Sequence, residues 1–213
     1  MSREINLIVI HCAASPNGRS LTVASIDEMH RQRGFRRSRD WRARLNYSLG
    51  AIGYHFVIYT SGALATGRHM GEIGAHVAGH NARSLGICMI GTDRFTAAQW
   101  TMLESNVIAI ARSLAGQRGD ARNFEETPQN AIATFERLGV RVVGHRDLSP
   151  DLDGDGTVEP REWLKTCPGF DVATWLRNGM LPEPAHVFDP AADAPDPRAA
   201  QAAADATVDG ESR

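Results

Sequence analysis

Two histidines and one cysteine of this chain have the side chains and positions expected of metal ligands. The run Ile8–Ile10 is followed by His11, the run Val142–Gly144 is followed by His145, and Cys167 lies farther along the chain. Strand ends are where an α/β fold usually presents its chemistry. Zinc favours imidazole and thiolate ligands, and a catalytic site uses three of them and leaves the fourth position for water. The residues alone leave another interpretation open, because a histidine at a strand end is more often a hydrogen-bonded structural residue.

The segment between these last two candidates contains a second set of possible metal ligands. Residues 151–162, DLDGDGTVEPRE, match the twelve-position calcium loop of EF-hands, in which a glycine at the sixth position allows a sharp turn and a glutamate closes the loop. The alternative is an acidic, solvated turn, although carboxylates on so short a loop repel one another unless a cation neutralises them. The predicted calcium ligands are Asp151, Asp153, Asp155, the backbone carbonyl of Thr157, Glu159 through a water, and Glu162.

Alternating strands and helices are predicted to position these residues. Apolar and β-branched runs predict strands over 5–11, 53–60, 85–90 and 140–144, with a hairpin return over 64–68. Apolar residues spaced by three and four predict helices over 22–33, 96–114, 128–138 and 172–177. This alternation indicates an α/β fold.

The stretch from Phe35 to Leu45 is basic and predicted to be irregular. It holds five arginines, at positions 36, 37, 39, 42 and 44, around Trp41. These side chains either face a substrate or are simply solvated, and we favour solvation because arginine density alone specifies no ligand.

Composition divides the chain into one domain, residues 1–182, and a tail, residues 183–213. The chain is 42% hydrophobic, as is ordinary for a soluble globular protein, and no apolar run has the length of a membrane helix. After Leu181 it becomes rich in Ala, Pro and Asp, with too few large apolar residues to offset the entropy of ordering, which predicts a disordered tail.

The tail holds seven acidic residues against two arginines, so the domain is mildly basic. That charge suits an anionic partner such as a cell wall, or is merely solvated.

Cysteine usage and the N-terminus indicate the compartment of synthesis. Three cysteines, Cys12, Cys88 and Cys167, are too few and too scattered for a disulfide framework. The N-terminus enters a strand without a signal-peptide pattern, so we expect synthesis in the cytoplasm. Cys12 follows His11 on a strand and therefore points to the opposite face, and Cys88 lies in an apolar strand, so both are predicted to be core residues.

Six segments of the chain, in order, resemble the N-acetylmuramoyl-L-alanine amidase family. They are Ile10–Ser15, Ile52–Ile58, Gly74–Asn81, Leu85–Cys88, Gly144–Asp147 and Lys165–Asp171. An ordered set of this kind is far more specific than any single motif. It spans residues 5 to about 178 and is most similar to the bacteriophage T7 lysozyme branch, which is related in fold to peptidoglycan recognition proteins. The resemblance implies a central mixed β-sheet flanked by helices. The T7 branch has a shorter connection where this chain has residues 151–162, so the calcium loop is an insertion.

The resemblance also implies roles for individual residues. It makes His11, His145 and Cys167 the zinc ligands, Tyr54 a catalytic residue beside the metal-bound water, and Lys165 the residue that stabilises the transition state. Lys165 lies two positions before Cys167, so in an extended segment both side chains share one face. His76 falls where the family lines its substrate groove and is a substrate-binding candidate.

The function that the resemblance implies is hydrolysis of the amide bond between N-acetylmuramic acid and L-alanine in bacterial peptidoglycan. We expect a monomeric phage or prophage endolysin that uses Zn²⁺ for catalysis, acts on the cell wall after release and has no nucleic-acid partner. Calcium is expected to stiffen the inserted loop and to return the segment that carries Lys165 and Cys167 to the zinc. Three alternatives stay open: a non-catalytic peptidoglycan-binding module, a cytosolic muropeptide-recycling amidase, and a calcium-binding protein that uses this fold as a scaffold.

Overall fold

Residues 3–190 are described by the computed structural model and form an α/β fold with one central sheet. In chain order the strands and α-helices are β1 (Leu7–Cys12), α1 (Val23–Gln32), α2 (Arg39–Arg44), β2 (Phe56–Ile58), β3 (Leu64–Thr66), β4 (Ser84–Met89), β5 (Phe95–Thr96), α3 (Ala97–Gln117), α4 (Pro128–Leu138), β6 (Arg141–Gly144), α5 (Val172–Arg177) and β7 (Val187–Phe188). Among these residues, no helix combines the length and the apolar character needed to cross a membrane.

The central sheet is mixed, as the family resemblance implies. Its five strands lie in the order β3-β2-β4-β1-β6. Strands β2, β4, β1 and β6 run parallel to their neighbours, and only β3 is antiparallel, because it returns from β2 as the predicted hairpin. The predicted α/β class and its mixed central sheet are therefore confirmed, and the inserted calcium loop stays a prediction.

Strand β1 lies between β4 and β6 and is buried on both faces. Ile8 and Ile10 pack in the larger core, which helices α3, α4 and α5 cover. Leu7 and Val9 point to the other face, where they pack with Val77. A continuous apolar run, rather than alternation of apolar and polar residues, is what a parallel strand covered on both sides requires. His11, which follows Ile10 on this strand, is therefore buried as well.

Local signals in the sequence set the helix boundaries. The Thr22 hydroxyl accepts from the Ser25 amide (3.0 Å) at the start of α1. Thr127 caps α4, which begins with Pro128 and ends at Gly139, whose φ of 66° lies in the left-handed region that favours glycine. The predicted bounds of α4 and α5 coincide with those observed, and α1 differs by one residue at each end.

The basic stretch differs from its prediction. Arg39–Arg44 form the helix α2, capped by the Ser38 hydroxyl, and Arg37 is buried rather than solvated. The reason is a carboxylate distant in sequence: both oxygens of Glu72 accept hydrogen bonds from the Arg37 guanidinium. Nothing within the stretch itself indicates that partner.

The predicted start of the tail at residue 183 is also wrong for its first residues. Val187–Phe188 form β7, which pairs in parallel with β5, and the Trp100 indole donates to the His186 carbonyl (3.2 Å). Val187 and Phe188 are enough to attach this otherwise polar segment to β5. The average composition of residues 183–213 does not reveal two such residues. The remainder of the predicted tail, 191–213, lies outside the described residues.

A buried charge cluster anchors the segment that leads into Tyr54. The Arg37 guanidinium lies 2.8 Å from Glu72 and also donates to the Leu49 carbonyl (2.9 Å). Arg68 lies 3.4 Å from the same carboxylate and donates to the Ile52 carbonyl (2.6 Å). Loss of one partner in a buried ion pair is strongly destabilising, because it leaves the remaining charge without compensation.

We predict that Glu72→Gln lowers the free energy of unfolding by about 3–5 kcal/mol, since two buried guanidinium groups lose their counter-charge. The matched control is Glu4→Gln, which removes an exposed pair with Arg83 and should cost less than about 1 kcal/mol. Urea denaturation of both variants measures the difference. Equal effects of the two substitutions would contradict a stabilising role for the buried cluster.

Candidate metal centre and active site

The register between β1 and β6 brings His11 and His145 together. Ile10 lies opposite Gly144 in this parallel pair, so the next residue of each strand emerges at the same edge of the sheet. The two imidazole rings have centroids 4.7 Å apart. His11 is almost fully buried, and His145 begins a short 3-10 helix, His145–Leu148, that is partly open to solvent.

Cys167 returns to these histidines through main-chain hydrogen bonds. The Arg146 amide donates to the Cys167 carbonyl (2.8 Å), and the Cys12 amide donates to Cys167 Sγ (3.2 Å). That sulfur lies 3.8 Å from His11 Nδ1, and one ligand atom from each of the three candidates lies within 4.8 Å of the other two. Ligands bound tetrahedrally to zinc lie roughly 3.3–3.7 Å from one another, given the usual zinc–ligand bond lengths. The three side chains therefore fit a single zinc ion after small adjustments.

The surroundings keep both imidazoles neutral, as metal ligation requires. Burial, followed by the neighbouring His76, His145 and Lys165, lowers the pKa of His11 well below its ordinary value. Burial and the Lys165 charge lower the pKa of His145 to about 4. The contact with the Cys12 thiol and burial raise the pKa of Cys167. A thiolate at this position is thus favoured together with a bound cation, whose charge offsets the cost.

A groove of about 410 Å³ opens beside the three candidate ligands. Its polar lining includes His76, His145 and Lys165, and its apolar lining includes Phe35, Val77, Leu148 and Leu164. Leu164 is 75% exposed and lies two residues after the inserted loop, so the loop adjoins one wall of the groove. A mostly apolar cavity with a few polar groups is the usual form of a small-molecule or substrate site.

Tyr54 lies beside the candidate ligands, with its ring centroid 5.1 Å from that of His11. Burial raises the pKa of Tyr54 well above its ordinary value, and the neighbouring Cys88 and Cys167 add to the shift. The phenol therefore keeps its proton and can donate a hydrogen bond. The preceding Gly53 crosses close to the main chain of Ala75, where an added Cβ would lie 2.1 Å from the Ala75 carbonyl oxygen, so only glycine fits there.

His76 contacts a candidate ligand as well as the groove. Its Nδ1 lies 3.0 Å from His11 Nε2. The sequence assigned it to substrate binding, and the contact with His11 is one that sequence reasoning missed. Arg146 was missed as well: its guanidinium lies 4.1 Å from the Trp163 ring centroid and 3.1 Å from Asp171. Neither contact has a local signal in the sequence, because each partner lies far along the chain.

The other histidines and cysteines are not among the three candidate ligands, although His55 packs against His76 with ring centroids 5.7 Å apart. His55 is fully buried and its Nδ1 accepts from the Gly86 amide (3.0 Å), while His69 stacks on Trp41 with ring centroids 5.6 Å apart. Cys12 and Cys88 are buried core residues, as predicted.

The acidic residues of the inserted loop converge, although their own main chain engages several of them. Oxygen atoms of Asp151, Asp153 and Glu162 lie within 4.8 Å of one another, as do those of Asp153, Asp155 and Glu159. Asp151 accepts from the Gly154 and Gly156 amides (2.7 and 2.8 Å). Arg161 contacts Asp153 and Glu159. The Thr157 amide donates to Asp155 (2.8 Å), and no described contact involves the Thr157 carbonyl.

Comparisons with known proteins point to one family. The sequence model of the N-acetylmuramoyl-L-alanine amidase family matches residues 1–170. An uncharacterized protein of Haemophilus influenzae is 38% identical over 135 residues, which cover 60% of this chain and 97% of that protein. The endolysin of Escherichia phage T7 is 24% identical over 182 residues, which cover 82% of this chain and 87% of that protein.

One solved structure, the N-acetylmuramoyl-L-alanine amidase LysC from Clostridium intestinale, is 24% identical and aligns with a TM-score of 0.49 over 82% of this chain and 84% of that one. The family match covers most of the chain and includes the converging residues His11, Tyr54, His76, His145 and Cys167. The chain therefore belongs to the N-acetylmuramoyl-L-alanine amidase family.

Proposed function

We propose that this chain is a zinc-dependent amidase that cleaves the bond between N-acetylmuramic acid and L-alanine in bacterial peptidoglycan, as a monomeric phage or prophage endolysin that acts after release from the cytoplasm. The observation that carries the proposal is the convergence of His11, His145 and Cys167 beside a groove that His145 also lines. Membership of the amidase family and similarity to phage endolysins support the substrate.

The donor set explains why zinc is the proposed metal. Two neutral imidazoles and a thiolate leave one position of a tetrahedral ion for water, as in other catalytic zinc sites. When bound, zinc supplies Lewis acidity and activates a water molecule at neutral pH. The protein's share is to hold the three ligands, to exclude bulk water around His11 and to present the substrate from the groove.

Lys165 is proposed to stabilise the negative charge that develops on the substrate carbonyl oxygen. Its side chain is exposed in the groove, and its charge lies close enough to lower the pKa values of His11 and His145. It is also the only lysine of the chain, in which the other 22 of the 23 basic residues are arginines. An ammonium is a compact point charge, whereas a guanidinium is a planar fork, so the two are not equivalent beside a small oxyanion.

Tyr54 is proposed to orient the reacting groups with its hydroxyl. Because burial keeps the phenol protonated, it serves as a hydrogen-bond donor rather than as a base. Its position against the His11 ring places it on the same side of the sheet as the candidate ligands.

We predict that Cys167→Ala abolishes both zinc binding and amide cleavage. Mutation of a residue that hydrogen-bonds to a zinc ligand typically lowers metal affinity or activity by about 10–100-fold. Loss of a ligand itself should therefore lower activity by more than about 100-fold. Zinc content is measured on the purified protein, and mass spectrometry of digested peptidoglycan identifies the broken bond. Cys88→Ala is the matched control and should keep its zinc, since that thiol lies in the core.

The same digestion separates the alternatives. Wild-type protein that holds zinc and binds peptidoglycan without releasing stem peptide would be a binding module and would contradict the proposal. Preference for soluble muropeptides over intact sacculi would instead indicate a recycling amidase. Cleavage by the Cys167→Ala variant at the wild-type rate would rule out the proposed ligand set.

We predict that Lys165→Met lowers kcat by about 100–1,000-fold with little change in KM, because the lost interaction forms with the transition state. Lys165→Arg should recover only part of the rate, and Arg122→Met, which removes an exposed cation elsewhere, should have no effect. Steady-state kinetics on a soluble peptidoglycan fragment provide both constants. A rise in KM at constant kcat would show instead that Lys165 only binds substrate.

We further propose that residues 151–162 bind one calcium ion through the six predicted ligands. The support is the spacing of the motif together with the two acidic clusters that the loop forms. Calcium would offset the mutual repulsion of these carboxylates and so stabilise the excursion between His145 and Lys165.

We predict that calcium raises the melting temperature of the zinc-loaded protein. An ion present at 100 times its Kd stabilises the folded state by about 2.7 kcal/mol. Asp155→Ala deletes a ligand oxygen and should remove most of this increase, whereas Glu125→Ala, at an exposed acid outside the loop, should keep it. Differential scanning calorimetry with excess zinc, before and after selective calcium removal, measures the shift. An unchanged melting temperature would leave the loop as an acidic turn.

A further inference from the structure

The two ring nitrogens of His11 face different partners. Nδ1 points to the thiol, 3.8 Å from Cys167 Sγ, and Nε2 lies 3.0 Å from His76 Nδ1. If Nδ1 is the ligand atom, its lone pair must be free and the ring proton must be on Nε2. That N–H is inside the protein, so it needs an acceptor.

His76 has the geometry of that acceptor. For its Nδ1 to accept from His11, the proton of its own ring must be on Nε2, which lies 3.3 Å from the Ser84 hydroxyl. Ser84 is fully buried at the start of β4 and can accept there. With His11 Nδ1 as the ligand atom, the contacts would form one directed series, in which His11 donates to His76 and His76 donates to Ser84.

The main chain around His76 is built to hold its ring in place. The His76 and Val77 amides donate to the Asn81 side-chain oxygen (2.8 and 3.0 Å). The ring occupies space that two glycines leave open: an added Cβ would lie 2.7 Å from the ring at Gly86 and 2.5 Å from it at Gly74. Neither glycine has a positive φ, so glycine is needed at both positions because a side chain would clash with the His76 ring, and not because of the backbone conformation.

We propose that His76 is a positioning residue that holds His11 in the Nε2–H tautomer and so keeps Nδ1 free for zinc. The inference rests on the zinc chemistry proposed above. Without an acceptor at this point, His11 populates both tautomers and its ring orientation is less fixed, so the fraction of protein ready to bind metal falls. Because both nitrogens of His76 are engaged, its part at the groove is to support a ligand rather than to hydrogen-bond substrate.

Two substitutions separate the hydrogen bond from the packing. In His76→Asn the amide oxygen is as many bonds from Cα as Nδ1 is, so an acceptor remains although most of the ring is lost. In His76→Leu the volume is better preserved and the acceptor is lost. We expect His76→Leu to weaken zinc binding by about 10–100-fold and His76→Asn to retain an affinity within about threefold of the wild type. Competition with a chromophoric zinc chelator measures both constants.

A second readout does not depend on the metal. The ¹⁵N chemical shifts of His11 in the zinc-free protein report which nitrogen carries the proton, and we expect Nε2–H in the wild type and in His76→Asn but a mixture in His76→Leu. Ser84→Ala, a smaller change at the far end of the series, should weaken zinc binding by about threefold, less than His76→Leu does. It tests the series even if His76→Leu fails to fold.

The outcomes distinguish this inference from the proposed function. Wild-type protein that binds no zinc would overturn the zinc chemistry itself. Wild-type protein that binds zinc tightly, with unchanged affinity and an unchanged His11 tautomer in His76→Leu, would overturn only the role of His76. Equal losses in His76→Asn and His76→Leu would show that the ring acts by packing, and would overturn the positioning role too.

Discussion

The parallel pairing of β1 with β6 is the constraint on which the rest of the site depends. With Ile10 opposite Gly144, the residues that follow must lie side by side, and both are histidines. Side chains alternate between the faces of a strand, so a slip of one residue would turn His11 into the helix-covered core and move Ile10 to the metal side. That slip is disfavoured because it would place the polar imidazole of His11 among the apolar side chains of the helix-covered core. The packing that stabilises the sheet therefore also fixes the distance between the two candidate ligands.

Burial then sets the chemistry of the groups that the register brings together. The interior lowers the pKa values of His11 and His145 and raises that of Tyr54, so at neutral pH the imidazoles are uncharged and the phenol keeps its proton. Lys165 is exposed and supplies a positive charge to the lining of the groove. One desolvated region thus yields neutral ligands and a hydrogen-bond donor, and an exposed cation lies beside it.

Features with local signals could be predicted from the sequence, and those that depend on distant partners could not. Helices α4 and α5 have cap residues next to their ends, and the strand-end histidines follow unbroken apolar runs. The burial of Arg37 depends on Glu72, 35 residues away, and the partner of His11 is His76, 65 residues away. The family resemblance placed His76 near the substrate but did not indicate its contact with His11. Glycines at 74 and 86 leave the room that its ring occupies, yet a glycine in a sequence does not reveal which side chain fills the space beside it.

Hydrogen bonds between the two ends of the inserted loop fix the position of Cys167. The Ser149 hydroxyl accepts from the Leu164 amide (3.1 Å), and the Arg146 amide donates to the Cys167 carbonyl. The Arg146 side chain lies over Trp163 at the base of the loop. These contacts join the two ends of the loop and do not involve its acidic residues. The position of Cys167 is therefore set without the acidic residues, and the entropic cost of the longer loop is small. Calcium bound at residues 151–162 would accordingly stabilise the loop, and Leu164 on the groove wall, more than it would determine the geometry of the three candidate zinc ligands.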